Sequence, residues 1–155
     1  MAMALTLQKY LAQNGIAYEI LPHAYTATSM NTASAAKVPS DKLAKPVILE
    51  DERGYVMAVI PANRHVKIGE LRQLLKRNMG LATESELRQL FPDCDLGAVP
   101  PIGQAYGVDT VVDDSLIKAS DIYFEAGDHE DVIHIKGAAF RRLMKDAQHG
   151  SLCMH

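Results

Sequence analysis

Two apolar runs constrain this chain more than anything else in it. Val47-Ile48-Leu49 and Tyr55-Val56-Met57-Ala58-Val59-Ile60 are separated by the charged segment Glu50-Asp51-Glu52-Arg53-Gly54. Short runs rich in β-branched residues, broken by charge and a glycine, read as the two strands of a hairpin. Further strand-like segments are Tyr18 to Leu21, ended by Pro22, then Gly107 to Asp113, Ile122 to Ala126 and Val132 to Ile135.

Helical spacing places the remaining elements. Leu5, Leu7, Tyr10 and Leu11 predict a first helix with its stop at Asn14-Gly15. Thr32 to Ala36 predicts a short helix closed by Pro39, with Ser29 or Asn31 as N-cap. Ile68, Leu71, Leu74 and Leu75 predict an amphipathic helix ending near Met79-Gly80, and Thr83 with Glu86 forms a capping box that opens the next one. A last helix is predicted over about Ala138 to Ala147. Strands outnumber long helices and come as hairpin-like neighbours. The expected class is therefore α/β: a single-domain mixed, largely antiparallel sheet flanked by helices. One domain is expected over 1–150, with a frayed tail over 151–155.

Composition narrows the function classes. Hydrophobic residues make up 48% of the 155 and charged residues 23%, the balance of a globular domain. The net charge of -3 lacks the basic footprint with which sequence-independent nucleic-acid binders release counterions, so any RNA contact is local and no DNA partner is expected. The basic runs Arg64, His65, Lys67, Arg72, Lys76, Arg77 and Lys136, Arg141, Arg142, Lys145 read as solvated helix faces. Cys94 and Cys153 offer neither a disulfide framework nor metal-type spacing. No basic leader and no apolar stretch of about 20 residues is present, so a cytoplasmic chain without membrane contact is expected.

Several chemistries are then set aside. His129 and His134 are five apart across strand-like residues, so they project to opposite faces and read as one exposed turn histidine and one sheet histidine, not a zinc pair. There is no serine elbow, and Cys94 lies beside aspartates that disfavour its thiolate. The loop Gly97-Ala98-Val99-Pro100-Pro101-Ile102-Gly103 is no phosphate cradle, because Pro100 and Pro101 have no N–H to point at an anion. Its prolines fix φ and its glycines allow tight ends, which suits a rigid pocket wall, although composition alone slightly favours a plain turn. Lys45, by itself, reads as a strand-end charge.

Taken in order, Ala44-Lys45 before Val47-Ile48-Leu49, Val59-Ile60-Pro61-Ala62, the helix Leu71 to Lys76, the Gly97 to Gly103 loop and Ala126-Gly127-Asp128-His129 resemble the YbaK and prolyl-tRNA synthetase editing-domain family. The resemblance spans nearly the whole chain. It implies a trans-editing deacylase that hydrolyses the ester at the 3′ aminoacyl end of a mischarged tRNA, using positioned water assisted by the substrate's own ribose hydroxyl, with no metal and no cofactor. Lys45 is then the essential lysine. Gly97, Ala98, Val99, Pro100, Pro101 and Gly103, with Gly127 and His129, bind the substrate. An aminoacyl-tRNA synthetase is a second implied partner, and the alternative is a non-catalytic tRNA- or synthetase-binding module of the same fold. Pro46 stands where the family usually has a backbone donor, which predicts altered strand pairing beside Lys45. Pro100 stands where the family often has a polar residue.

Overall fold

The computed structural model describes residues 3–26 and 28–154. Helix α1 (Leu5–Gln13) turns Leu7 and Leu11, one turn apart, into the core, and Gly15 at φ 63° ends it. Strand β1 is Glu19–Pro22, and α2 is Ser29–Ala36. The cap of α2 is Thr28, not Ser29 or Asn31: its backbone is extended and its hydroxyl accepts from Asn31 N. The hairpin is longer than its apolar runs, with β2 over Leu43–Asp51 and β3 over Gly54–Pro61. Then come β4 (His65–Val66), α3 (Ile68–Leu75), β5 (Gly80–Leu81) and α4 (Glu84–Leu90), where Thr83 and Glu86 close the capping box in both directions. A 3₁₀ turn spans Gly103–Tyr106, followed by β6 (Asp109–Asp113), α5 (Asp114–Ile117), β7 (Asp121–Glu125) and β8 (Asp131–Lys136). The chain ends with α6 (Gly137–Leu143), β9 (Gln148–Gly150) and β10 (Cys153–Met154).

Eight strands form one sheet in the order β1-β8-β7-β2-β3-β6-β9, with β5 also on β2. The pairs β1–β8, β7–β8, β2–β3 and β2–β5 are antiparallel, while β2–β7, β3–β6 and β6–β9 are parallel. This is the expected mixed, largely antiparallel α/β domain. Both faces are covered. One carries Ala44, Ile48, Met57, Val59, Ile122, Phe124 and Ile133 against Leu7 and Leu11 of α1 and Phe140 of α6. The other carries Leu49, Val56, Ala58, Ile60 and Val111 under Leu71 of α3, and further along it Leu43 and Val132 lie under Ala33 of α2.

Two further sequence expectations change. The last helix stops at Leu143 instead of reaching Ala147, because the chain turns there to lay β9 beside β6. The tail is not frayed over 151–154: Leu152 and Cys153 are buried, Lys67 N donates to Leu152 O at 2.6 Å, and β10 pairs with β4. His155 lies outside the described residues.

Asp113 anchors this tail, accepting from Leu152 N at 2.8 Å and from Ser115 N and Oγ. Burial pushes its carboxyl up, but the hydrogen bonds together hold it below the usual carboxylate range. A carboxyl held lower in the folded state than in the unfolded chain stabilises the fold above about pH 4 and loses that contribution as pH falls through its folded value. The melting temperature is therefore expected to fall on acidification below about pH 4. Asp113→Asn should flatten that acid limb, and an unchanged limb would remove Asp113 from the account.

Candidate active site

Backbone polarity explains where β2 and β7 part. Tyr123 N donates to Lys42 O at 2.9 Å and Ala62 N to Leu43 O at 2.8 Å, so the backbone groups of residues 42, 44 and 46 point toward β7 and those of 43 and 45 toward β3. Pro46 has no N–H to offer on the β7 side. The ladder to β7 pairs Leu43 with Tyr123 and Ala44 with Phe124 and goes no further. The ladder to β3 runs on through Pro46 opposite Val59. Beyond Ala44 and Phe124 the next residues, Lys45 and Glu125, stand on the face shared by Leu43 and Tyr123, where the two strands part. Pro46→Ala returns a donor worth about 1 kcal/mol, and amide exchange at positions 124–126 should slow roughly fivefold. Unchanged exchange would place the cause of the opening elsewhere.

Lys45 is half-buried, and its Nζ donates to Ala62 O at 3.1 Å. Burial lowers its pKa, and the charge of the nearby Cys153 position opposes that shift. The Cys153 thiol is itself pushed up to about 12 by burial and by Asp113. The C-terminal strand thus packs beside Lys45, a proximity that no local motif announces.

The turn between β7 and β8 brings a second group of residues together. Gly127 takes φ 111° and His129 takes φ 60°, a left-handed conformation that is uncommon for histidine. Asp128 Oδ1 accepts from Glu130 N at 3.0 Å and Asp131 N at 2.9 Å, which fixes the turn. His129 is not an exposed turn histidine; it is buried at 2% exposure, its Nε2 donates to Leu96 O, and the Tyr25 ring meets it edge-on at 5.3 Å. Asp95 N donates to Gly127 O at 2.8 Å. The residues preceding Gly97 are therefore stapled to Gly127 and His129. His134 is a sheet residue, stacked on Tyr123 and held between Glu19 and Asp121.

The glycine-proline loop itself is mostly interior. Gly97 is exposed at φ 81°, whereas Ala98, Val99, Pro100, Pro101, Ile102 and Gly103 are buried, and Val99 and Ile102 belong to the main core. Beside the loop's start, Tyr25, Arg88, Phe91, Pro92, Cys94, Asp95 and Leu96 line a cleft of about 530 Å³. Cys94 is a poor nucleophile there: burial pushes its thiol up to about 12, and its Sγ lies 3.2 Å from Tyr106 Oη. Lys45 Nζ bonds to Ala62 O, and among the described residues no hydrogen bond joins it to the loop.

Glu125 is the residue sequence reasoning missed. It is 4% exposed, and burial raises its pKa. No local signal marked it: alternation sets Glu125 on the face opposite Ile122 and Phe124, and only the packing of α2 on that face shows that it is covered.

This architecture is a small mixed-sheet α/β domain, and solved structures share it. A candidate trans-editing enzyme for prolyl tRNA synthetase is 21% identical with a TM-score of 0.82, covering 98% of this chain and 97% of that one. A hypothetical protein is 20% identical with a TM-score of 0.85, covering 96% and 99%. A candidate signal transduction protein from Marinobacter aquaeolei is 18% identical with a TM-score of 0.80; the match covers 99% of this chain but only 31% of that longer one. At these identities the likeness speaks for the fold. No curated protein matches the sequence. The model of the aminoacyl-tRNA editing domain matches residues 23–143, and the chain belongs to that family.

Proposed function

We propose that this protein is a trans-editing deacylase that hydrolyses the ester between a wrongly attached amino acid and the 3′ ribose of a tRNA. The observation that carries the reading is Lys45, a half-buried cation at the opening between β2 and β7, within a member of an editing family. Its ammonium holds the terminal phosphate or the developing oxyanion by charge. Gly97, with Ala98, Val99, Pro100, Pro101 and Gly103 behind it, shapes the pocket from the side to which Gly127 and His129 are stapled. The aminoacyl ester is already activated. A water held against its carbonyl adds there, the vicinal ribose hydroxyl assists proton transfer, the carbon–oxygen bond to the ribose breaks, and a free amino acid and an uncharged tRNA leave. No protein nucleophile, metal or cofactor takes part in this scheme. Cytoplasmic residence, where charged tRNA is found, belongs to the same proposal.

With a net charge of -3, few phosphates are neutralised, so affinity for the body of the tRNA is low and a synthetase partner supplies tRNA selection. The second reading is a non-catalytic module that binds tRNA or a synthetase. The observation favouring it is that Lys45 Nζ is already engaged by Ala62 O. Incubation with tRNAs mischarged with alanine, cysteine or serine separates the two. Release of at least one amino acid supports the deacylase; binding with every ester left intact supports the module.

A further inference from the structure

Among the described residues, the buried side-chain nitrogen and oxygen atoms without a hydrogen-bond partner are His23 Nε2, both carboxylate oxygens of Glu125, Asp128 Oδ2 and His129 Nδ1. They are not scattered through the fold. Glu125 ends β7, Asp128 and His129 form the turn after it, and His23 N and Thr26 N donate to Glu130 O and His129 O, which ties the segment entering α2 across that same turn. His129, His23 and Asp128 all act electrostatically on Glu125, and the backbone hydrogen bonds hold them around the same turn. The Thr32 hydroxyl of α2 lies beside the carboxylate and shares a hydrogen bond of 2.6 Å with Thr26 Oγ1, so it can offer Glu125 at most one proton, and neither Glu125 oxygen has a partner at full hydrogen-bonding geometry. Native interiors leave few polar atoms unpaired, and each costs about 1–3 kcal/mol. Such a concentration marks a place that a ligand completes.

The unpartnered atoms describe that ligand. Two of the residues are carboxylates, contributing three acceptor oxygens with no donor, while the two ring nitrogens can serve as acceptors in their neutral form. A metal ion is a poor fit, since no group of three or more His, Cys, Asp or Glu among the described residues is arranged to hold one. A primary ammonium, with three N–H donors and a positive charge, satisfies the set. We propose that Glu125, with Asp128, binds the α-ammonium of the aminoacyl group at the opening between β2 and β7. The identity of the ligand rests on the deacylase reading above. Lys45 stands on the same sheet face, so the ester lies between the carboxylate that holds its amine and the lysine that holds its oxygens. Holding the amine charged also withdraws electrons from the adjacent carbonyl. The consequence is a specificity: esters with a free amine are accepted, and N-blocked esters, including peptidyl esters, are refused.

The test uses the full chain and a hydrolysis-resistant probe, 3′-alanylamino-3′-deoxyadenosine, beside its N-acetyl derivative, in a binding titration. The wild type is expected to bind the free amine at least tenfold more tightly than the acetylated compound. Glu125→Gln, nearly isosteric, should bring the ratio close to one by weakening only the free amine. In the absence of ligand the variant should melt no lower than the wild type, because an unpaired buried carboxylate has been neutralised. A wild type without preference, or a Glu125→Gln variant that keeps it, overturns the site; if the variant fails to fold, the wild-type ratio still decides. Ester release is read separately. Amine-dependent binding without release overturns the deacylase and keeps the ammonium site, whereas release without amine preference does the reverse.

Discussion

Lys45→Ala is expected to lower kcat/KM for ester release by about 10²- to 10³-fold, the cost of removing one group that stabilises developing charge in a water-poor site. The effect should fall on kcat more than on KM if the ammonium meets the oxyanion, and on KM if it meets the terminal phosphate. Either outcome keeps Lys45 in the machinery, and full activity in the variant removes it. The pH dependence carries a second signature. Burial lowers the lysine's pKa, so the active cation is lost at a lower pH than for a free lysine, and the alkaline limb of the rate profile moves down accordingly. The stability sign is opposite to the activity sign. A lysine whose folded pKa lies below its unfolded value opposes folding while it is charged, and the opposition is relieved as pH rises toward and past the unfolded value. Lys45→Met, which keeps the apolar stem but removes the charge, should therefore be inactive and at least as stable as the wild type at neutral pH. A residue that is favourable for chemistry and unfavourable for the fold is what a functional site leads one to expect.

The hairpin shows why so much of the fold was legible and where legibility ended. Val47 to Leu49 and Tyr55 to Ile60 announce strands because they are locally apolar around a charged turn, and the Thr83–Glu86 capping box is a purely local signal; both are present. The short strands β4, β9 and β10 carry no such pattern. His65–Val66 and Cys153–Met154 are strands only because they pair with each other, and that pairing depends on Asp113 reaching Leu152 N from 39 residues away. The site divides along the same line. Lys45 and the Gly97 to Gly103 loop entered through a resemblance, since alone they read as a strand-end charge and a turn. His129 looked exposed because a histidine among Asp128, Glu130 and Asp131 is locally hydrophilic, yet a distant carbonyl, Leu96 O, draws its ring inside. Pro46 stood out only as a departure, and its consequence needed the direction of its neighbours' carbonyls, which alternation supplies once one hydrogen bond to β7 is known. Glu125 was hidden because nothing in its own strand reveals that α2 closes over it.

Gly103→Ala should behave in the opposite way to Lys45→Ala, lowering stability while changing recognition little, since Gly103 backs the pocket wall from inside the core. A Cβ at this position would lie 2.8 Å from Val108 O and would overlap Thr110 Oγ1, with Met57 Cβ at 3.4 Å behind them. Thr110 can rotate, but its hydroxyl is bonded to Val108 O at 3.2 Å, and Val108 N in turn donates to Gly103 O at 2.9 Å. The clash therefore reaches backbone that closes the 3₁₀ turn into β6, and relief requires that turn to move. Overpacking of this kind costs about 1–3 kcal/mol, which for a domain of this size lowers the melting temperature by roughly 2–12 °C. Because Gly103 is buried at the far end of the loop, KM for the folded fraction should stay within about twofold of the wild type. The converse pattern, an unchanged melting temperature with a raised KM, would mean that the backbone of Gly103 meets substrate after all. Gly97→Ala supplies the contrast at the exposed end: its φ of 81° strains any side chain by about 1–2 kcal/mol, and a change in KM there, absent at Gly103, would confine substrate contact to the end of the loop that follows the stapled residues Asp95 and Leu96.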